Sequence, residues 1–428
     1  MTWATEKPNI IIILTDDQGY GDLSCYDNPG DIKTPNIDRI AANGVKLTDG
    51  YVTCAHCGPS RAGLMSGRYQ QRFGYKRNKD VFNDGFVQQT TLPQVLKKSG
   101  YTTGIVGKWH LGRTTQERRP NNRGFDEFYG FLYSLRPFFE VKETNNPIYR
   151  NTEPIPEPKE YLTDVFNREA VAFIDKHAGK ENPFFLYLSY NAPHYPLEAK
   201  EEDIKLFNTG DEKRDIYLAM MKTVDEGVGM VLDKLKEKGV ADNTLIFFLS
   251  DNGGDLNKGG NNMHLRASKG NVFEGGARVP FLVSWPKQLP KGVVSKVPVM
   301  SFDIFATSVA AAGGEMPDDG KEYDSRDMLP YLKGEKKGYI RPTLYWTSPG
   351  GDKSYAIRHH DWKLLLPKKE KEVMLFDLSK DFKETTDLAA KHPEKVKELS
   401  ELYATWRAKM QKEEDALLGT GQDEETKQ

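Results

Sequence analysis

The sequence of 428 residues contains few cysteines, and its charges almost cancel. Three cysteines, Cys25, Cys54 and Cys57, allow at most one disulfide and exclude a fold that depends on a disulfide framework. The 60 basic and 62 acidic side chains leave a formal net charge of −2. This balance provides no overall field that would attract nucleic acid or an anionic membrane, and neither is expected as a partner.

Long hydrophobic runs are also missing, since no apolar run approaches the roughly 20 residues that a membrane-spanning helix needs. The first residues, MTWATEKPN, lack the apolar segment of a signal peptide. We therefore expect no membrane span and identify no leader. The length predicts two to three domains of about 150 residues each, and it allows a large buried core.

Three short runs are apolar without alternation, which is typical of strands covered on both faces in a parallel sheet, and a fourth, at 102–106, follows the pattern less fully. Helical patterns lie between these runs, and the one at 162–179 is expected to be capped by Thr163 or Asp164. The pattern predicts an α/β fold with a doubly wound, mostly parallel sheet and helices on both faces. The four runs are 10–14, 102–106, 184–188 and 244–249.

The composition changes near residue 340. The stretches 354–366 and 372–380 are interpreted as two strands of an antiparallel ribbon, and 392–418 is predicted to be a terminal helix. We therefore predict a large α/β domain over 1–340 and a smaller C-terminal α+β subdomain with an antiparallel sheet over 341–428.

The segment 113–162 is rich in Arg, Asn and Pro and is interpreted as a long loop, where substrate selection often takes place. Its arginines could meet a charged glycan, but each is expected to be a solvated surface residue. The same applies to several histidines and one arginine elsewhere, which are expected to be structural or on the surface. These two sets are Arg118, Arg119, Arg123 and Arg136, and His56, His264, Arg266, His359 and His360.

Polar residues follow each of the four predicted strands. In open α/β sheets ligands bind beyond the carboxyl ends of the strands, so these residues are expected to meet at one edge. They are Asp16 and Asp17, Lys108 and His110, His194, and Asp251 and Asn252.

The acidic pairs offer three carboxylates and one amide oxygen, from Asp16, Asp17, Asp251 and Asn252. Crowded carboxylates repel one another, and a hard divalent cation would relieve this repulsion. Ligands that are all oxygen suit Ca²⁺ or Mg²⁺ rather than zinc. The alternative is that both pairs are turn or cap residues after their strands.

Cys57 does not match such a cation, because a thiol is a poor ligand for it. The residues alone leave three interpretations open: a buried free thiol, a structural cysteine and a nucleophile. Pro59 indicates the start of a helix, and a helix N-terminus favours an anion in front of it. Arg61 adds a positive charge there, so the place suits an oxyanion.

The string Cys57-Gly58-Pro59-Ser60-Arg61, followed by AGLMSGRY, resembles the signature of the formylglycine-dependent sulfatases of the alkaline phosphatase superfamily. Other segments resemble that family in the same order and cover most of the chain. One departure is His264, where relatives often have proline. The similar segments are PNIIIILTDDQGYGD, GYTTGIVGKWHLG, NAPHYP, SDNGGD, KGNVFEGGARVP, AIRHHDWKLLL and LFDLSKDFKETTDLA.

The resemblance implies that Cys57 is oxidised to formylglycine, whose hydrated form carries two hydroxyl groups. One oxygen would bind the cation and attack sulfur, and the other would lose its proton so that sulfate is expelled. The cation would be Ca²⁺ in preference to Mg²⁺. Its implied ligands are Asp16, Asp17, Asp251, Asn252 and converted Cys57.

The resemblance also implies roles for the remaining side chains. Arg61 and Lys108 would hold the nucleophile and the sulfate, and His110 would bind the second hydroxyl and help to expel sulfate. His194 and Lys269 would face the bridging ester oxygen, with His194 as general acid. Without the resemblance, the lysines would be interpreted as solvated and the histidines as structural.

The expected function is hydrolysis of the sulfate ester of a sulfated carbohydrate, after maturation by a formylglycine-generating or anaerobic maturation enzyme. The resemblance implies a location in the periplasm or outside the cell. The sequence leaves open a broad arylsulfatase, a phosphonate or phosphate ester hydrolase on the same scaffold, and a non-catalytic protein that binds sulfated glycans.

Overall fold

The computed structural model describes residues 7–26, 30–82, 84–142, 144–348, 351–367 and 372–419. The strands are β1 Asn9–Thr15, β2 Gly44–Leu47, β3 Gly50–Tyr51, β4 Thr102–Lys108, β5 Glu127–Phe131, β6 Tyr149–Arg150, β7 Glu153–Pro154, β8 Phe184–Ser189, β9 Thr244–Ser250, β10 Phe281–Ser284, β11 Val293–Ser295, β12 Val299–Met300, β13 Thr343–Ser348, β14 Gly351–His359, β15 Trp362–Leu366 and β16 Met374–Asp377.

The α-helices vary from single turns to long rods, and short 3₁₀ turns connect several elements. The helices are α1 Pro35–Ala42, α2 Cys57–Ser66, α3 Leu92–Lys98, α4 Leu162–His177, α5 Glu201–Ile204, α6 Glu212–Glu237, α7 Glu274–Ala277, α8 Asp303–Ala311, α9 Leu329–Leu332 and α10 Pro393–Leu418. Within the described ranges, no helix is both long and apolar enough to cross a bilayer.

The large sheet has the strand order β11-β2-β10-β9-β1-β8-β4-β5-β6-β7. Its centre is parallel, because β9, β1, β8, β4 and β5 all run in the same direction. β10 is antiparallel to both of its neighbours. The sheet, its helices and a separate four-stranded antiparallel sheet confirm the predicted fold class.

Alternate residues of β1 enter two different cores, one on each face of the sheet. Ile10 and Ile12 pack with residues of α2, α3 and α8, whereas Ile11 and Ile13 pack with residues of α1, α4 and α6. Both sets are fully buried. Helices on both faces therefore explain why this strand is apolar at every position rather than at every second one.

The start of α4 differs from the prediction. Thr163 and Asp164 lie inside its first turn, and the residue before the helix is Tyr161, whose side chain makes no capping bond. The backbone N–H of Leu162 donates to the carbonyl oxygen of Phe138 at 2.8 Å. This tertiary hydrogen bond satisfies one free N–H of the first turn without a side-chain cap.

The segment 113–162 is not only loop. It contributes β5, which pairs in parallel with β4, and two short 3₁₀ helices. The prediction of solvated arginines is wrong for Arg118, Arg123 and Arg136, which are buried, whereas Arg119 is half-buried. Arg123 donates to three backbone carbonyl groups, at Phe86 and at residues 87 and 89, and these acceptors replace water around its guanidinium.

The prediction of a single strand over 354–366 is wrong. This stretch contains most of β14 and all of β15, which pair as a hairpin through His360 and Asp361. β13 and β16 complete the four-stranded sheet.

The terminal helix is confirmed as α10, and the ring of its Trp406 stacks on Tyr345 with centroids 4.7 Å apart. The core beneath this small sheet also includes Tyr51 and Phe302 from the larger part of the chain. The domain boundary at 340/341 stays a prediction.

Candidate active site

The ends of the four predicted strands meet at one edge of the large sheet. Backbone hydrogen bonds hold them together: the N–H of Asp251 donates to Thr15 at 3.0 Å, and that of Asp16 donates to Ala192 at 3.1 Å. Asp17 and His110 both have positive φ angles, of 64° and 57°, as the chain turns away from the sheet.

The acidic residues form one buried cluster together with Cys57. One ligand atom each from Asp16, Asp17, Cys57 and His194 lies within 4.8 Å of the others. The backbone N–H of Asp17 donates to Asp251 Oδ1 at 3.2 Å, and Asn252 Nδ2 donates to Asp17 Oδ1 at 2.8 Å. The fold therefore brings together residues that lie more than 230 positions apart in the sequence.

Two oxygens of this cluster are buried without a hydrogen-bond partner among the described residues, Asp16 Oδ1 and Asn252 Oδ1. A buried polar atom without a partner is costly and calls for an explanation. Carboxylate and amide oxygens are the ligands that Ca²⁺ and Mg²⁺ prefer. The donor set and these two free oxygens therefore fit a hard divalent cation.

Three basic side chains oppose the three carboxylates. Lys108 forms an ion pair with Asp16, and Lys269 Nζ lies 2.7 Å from Asp17 Oδ2. Arg61 contacts Asp251 Oδ2 through Nε and Nη2, each at 2.8 Å. Lys108, Arg61 and all three acids are buried, which excludes the alternative of a solvated side chain for Lys108.

Arg61 is held on its remaining side by the chain itself. Its Nη1 donates to Ser189 Oγ at 2.6 Å and to the carbonyl oxygen of Lys108 at 3.2 Å. Ser189, the last residue of β8, was not among the predicted site residues, although its place at a strand end was a usable signal. Arg61 therefore fixes Asp251 against the ends of β4 and β8.

The pKa values of the carboxyl groups diverge within the cluster. Burial raises the pKa of Asp251 to about 7, and the negative charge of Asp16 acts in the same direction. Burial also acts to raise the pKa of Asp16 and Asp17, but Lys108 and Lys269, respectively, together with His194, lower both below the usual value. Crowded carboxyl groups of this kind are typical of functional sites.

Cys57 is the first residue of α2, and its side chain faces the acidic cluster. Burial raises the pKa of its thiol to about 11, so the unmodified thiol is protonated near neutral pH. Asn78 Oδ1 accepts the backbone N–H of Gly58 at 3.1 Å, and Asn78 Nδ2 lies 3.9 Å from Cys57 Sγ. Nothing in the sequence connects Asn78, 21 residues further on, to this position.

The two histidines have different surroundings. Both ring nitrogens of His110 are buried without a partner among the described residues, and burial, with the charges of Lys108 and Arg61, lowers its pKa well below the usual value. His194 is partly accessible, with Nδ1 2.5 Å from the Tyr195 carbonyl oxygen and Nε2 3.6 Å from Asp17 Oδ2. A carbonyl only accepts, so Nδ1 carries the proton and Nε2 faces the site.

Comparison with known proteins identifies the family of the chain. Residues 8–314 match the family model described as Sulfatase. The chain belongs to the sulfatase family. Residues 264–413 also match the model described as the C-terminal part of N-sulphoglucosamine sulphohydrolase. The enzyme is therefore a sulfatase, as the resemblance of its motifs predicted.

Curated relatives and solved structures agree with the family. The chain is 30% identical to the uncharacterized sulfatase YdeN of Escherichia coli K12, over 92% of this chain and 84% of the relative. It is 36% identical to human N-acetylgalactosamine-6-sulfatase, over 80% of this chain and 69% of that enzyme.

The crystal structure of Ps i-CgsB in complex with k-i-k-neocarrahexaose superposes with a TM-score of 0.89 at 36% identity, over 95% of this chain and 94% of the other. The similar proteins thus include a sulfatase named for an amino sugar and a protein crystallised with an oligosaccharide, and together with the family they support hydrolysis of sulfate esters of glycans.

Proposed function

We propose that this sulfatase removes sulfate from a sulfated carbohydrate through a formylglycine made from Cys57, assisted by one divalent cation. The observation that carries the proposal is the position of Cys57 at the start of α2, with its sulfur within 4.8 Å of ligand atoms of Asp16, Asp17 and His194. A protonated thiol there is a poor nucleophile, whereas two oxygens on the same carbon match the surrounding oxygen ligands.

The cation would be held by oxygens of Asp16, Asp17, Asp251 and Asn252, together with converted Cys57. When bound, it supplies positive charge that withdraws electrons from the sulfate oxygens and favours ionisation of the nucleophile. Ca²⁺ is proposed in preference to Mg²⁺, because several carboxylates and an amide oxygen give the larger ion the many ligands it takes.

Hydrated formylglycine supplies an attacking oxygen and a second hydroxyl whose proton must later be removed. His110 is suited to that removal, because burial keeps its ring neutral and leaves both nitrogens without a partner among the described residues. Lys108 and Lys269, already at the carboxylates, place positive charge where sulfate oxygens would bind.

Departure of the sugar requires a proton on the bridging ester oxygen. His194 is the proposed donor in its doubly protonated form: its Nδ1–H stays bound to the Tyr195 carbonyl, and a second proton on Nε2, which faces the cluster from the accessible side, would pass to the ester oxygen and leave the ring neutral. Lys269 is proposed to face the same oxygen. Arg61 is proposed to position the nucleophile through Asp251 and the start of α2.

The experiment has two parts. Mass spectrometry of the Cys57 peptide from protein made in its native host is expected to show formylglycine. Sulfate release from sulfated galactose and N-acetylgalactosamine oligosaccharides is then expected for the converted protein and is expected to be lost in Cys57→Ala. Unconverted cysteine together with retained glycan binding would instead indicate a binding protein.

Turnover of aryl sulfate and aryl phosphate esters separates the remaining alternatives. We expect sulfate esters to be favoured by at least tenfold in kcat/KM; faster phosphate hydrolysis would reject the proposal. Maturation by a formylglycine-generating or anaerobic enzyme and a location in the periplasm or outside the cell are further parts of the proposal. Co-expression with each maturation enzyme and fractionation of the native cells test them.

A further inference from the structure

A cavity of about 770 Å³ opens at the same edge of the large sheet, beside β2 and β11. Its lining includes Tyr20 and Met263 from the large part of the chain, and Tyr339 and Phe382 from the segments that flank the small sheet. Among the described residues, its lining includes no proposed catalytic or metal-binding side chain. It is therefore a second concave surface, separate from the chemistry.

Two lysines give this cavity positive charge that the protein does not neutralise. Lys46 pairs with Val294 across β2 and β11, and Lys296 follows two residues later, so both lysines lie on the same face of neighbouring strands. Lys46 Nζ donates to the carbonyl oxygen of Cys25 at 2.6 Å. Neither lysine has a carboxylate within ion-pair distance among the residues that the structure describes.

The other two cations in the described lining, both arginines, are paired with carboxylates, whereas the two lysines are not. Arg278 Nη2 lies 2.6 Å from Asp49 Oδ1, and Arg358 Nη1 lies 2.8 Å from Asp49 Oδ2. Asp49 is therefore shared by two arginines. Asp361, the other carboxylate in the described lining, lies 3.8 Å from Arg358 Nη2 and accepts the Tyr339 hydroxyl, so neither carboxylate pairs with a lysine. An anionic group between Lys46 and Lys296 would complete the charge balance of the cavity.

Aromatic rings make up much of the remaining lining. The Tyr20 and Tyr26 rings meet edge to face with centroids 4.8 Å apart, and Tyr339 and Phe382 also line the cavity. Phe382 is 40% exposed although it is large and apolar. Such rings offer flat apolar surface at low entropic cost, which suits the C–H faces of sugar rings.

Hydrogen bonds connect the lining of the cavity to the catalytic centre. The Asn262 side chain accepts the backbone N–H of Tyr20 at 3.4 Å and that of Gly254 at 3.0 Å, and it donates to the carbonyl oxygen of Ala267. Its loop continues to Lys269, which contacts Asp17. The part of the lining that contains Tyr20 and Met263 is thus held in place relative to the residues that would bind the reacting sulfate.

We propose that this cavity binds a second sulfated sugar unit of the same substrate chain, at a distance from the ester being hydrolysed. Its sulfate would lie between Lys46 and Lys296, and its ring would pack on Tyr20, Tyr339 or Phe382. The inference rests on the proposed function, since it specifies that the carbohydrate carries at least two sulfates.

Calorimetric titration of the full chain carrying Cys57→Ser tests binding without turnover. The probes are k-i-k-neocarrahexaose, a hexasaccharide containing N-acetylgalactosamine 6-sulfate, their desulfated forms, and inorganic sulfate. Lys46→Gln with Lys296→Gln is expected to weaken binding of at least one sulfated hexasaccharide about tenfold. Lys291→Gln, an exposed lysine outside the lining, is the matched control and is expected to change the Kd less than twofold.

Unchanged affinity of the double variant for both sulfated hexasaccharides would overturn the inference, and so would an equal loss for the desulfated forms. An equal loss for inorganic sulfate would reduce the cavity to a simple anion site and reject the saccharide. Lys296→Gln alone, at an exposed position, guards against misfolding. Because no step requires turnover, absence of sulfate release would reject the proposed function without affecting this result.

Discussion

At the scale of single residues, His194 provides the sharpest test of the chemistry. Its Nδ1–H is engaged by the Tyr195 carbonyl, and Nε2 faces the cluster 3.6 Å from Asp17 Oδ2. Replacing it with Ala removes the proposed proton donor to the leaving group. We expect His194→Ala to lower kcat about 10²–10⁴-fold on alkyl sulfates, whose leaving groups are poor, and at most about tenfold on aryl sulfates.

The comparison requires kcat measured on both substrate classes with the same preparation. His392→Ala, at an exposed histidine remote from the site in sequence, is the control and is expected to leave both rates unchanged. Equal losses on alkyl and aryl sulfates would contradict the acid role of His194.

Asn78 tests whether the start of α2 is held in place for catalysis. Asn78→Asp keeps an oxygen for the Gly58 N–H but removes the N–H group near Cys57, whereas Asn78→Ala removes both. We expect both variants to lower kcat about tenfold, and only Asn78→Ala to cost about 1 kcal/mol of stability, because a capping interaction is lost.

Mass spectrometry must first show equal conversion of Cys57 in these variants, so that kcat is compared per converted site. Asn257→Asp, in an exposed turn, makes the same chemical change elsewhere. A normal kcat in Asn78→Asp would mean that the amide N–H has no part in positioning the nucleophile.

The sequence predicted the site residues well where they lie at the end of a strand or directly after it. Asp16 and Asp251 come directly after a buried strand, and Lys108 is the last residue of one; that position predicted their convergence. Asn78 and the buried Arg123 could not be found in this way. Their partners are backbone groups and a side chain that only tertiary packing brings near.

At the scale of elements, a buried charge network joins α7 to the small sheet. Lys363, on β15, lies 2.7 Å from Glu274 Oε1 and 2.8 Å from Glu384 Oε1. One lysine thus faces two carboxyl groups. Burial raises the pKa of Glu384 to about 7 and Glu274 adds to this, although Lys363 opposes both effects.

This shift makes the stability of the fold depend on pH. Between the ordinary glutamate pKa and about 7, folded Glu384 keeps a proton that the unfolded chain releases, so stability falls as pH rises through this range. Glu384→Gln keeps a neutral side chain at every pH. We expect it to remove a loss on the order of 2–3 kcal/mol between pH 5 and pH 8.

Thermal unfolding of the wild type, Glu384→Gln and Glu335→Gln between pH 5 and pH 8 measures this effect. Glu335 is exposed, so its variant is expected to follow the wild type, whereas Glu384→Gln is expected to have a flatter profile. Identical profiles for the wild type and Glu384→Gln would contradict the assignment of the proton to Glu384.

The strands buried inside the sheet could be predicted from the sequence more easily than the other strands. β1, β4, β8 and β9 lie inside the sheet, and their continuous apolar runs identified them. β5 was missed because its five residues, EFYGF, lie in a segment dominated by polar residues. The sequence predicts one strand where the structure has the hairpin of β14 and β15. The turn contains two histidines and Asp361 and has no Gly or Asn, which mark most tight hairpins, so the sequence gives no signal of a turn there.

At the scale of the whole molecule, the site joins segments that lie far apart in the sequence. Its proposed cation ligands come from the end of β1, the start of α2 and the end of β9, more than 230 residues apart. Order along the sequence could not supply this distance information, but the topology of a parallel sheet could, because the carboxyl ends of its strands share an edge.

Cation binding is therefore expected to stabilise the whole fold rather than one loop. A ligand that binds only the folded state adds about 2.7 kcal/mol at one hundred times its Kd. We expect chelator to abolish sulfate release and lower the melting temperature, and Ca²⁺ to restore both more effectively than Mg²⁺. Asp17→Asn should lose the Ca²⁺-dependent rise in melting temperature, while Asp242→Asn, at an exposed acid, should keep it. A full Ca²⁺ response in Asp17→Asn would place the cation elsewhere, because Asp17 lies at the centre of the contacts that join Asp251, Asn252 and Lys269.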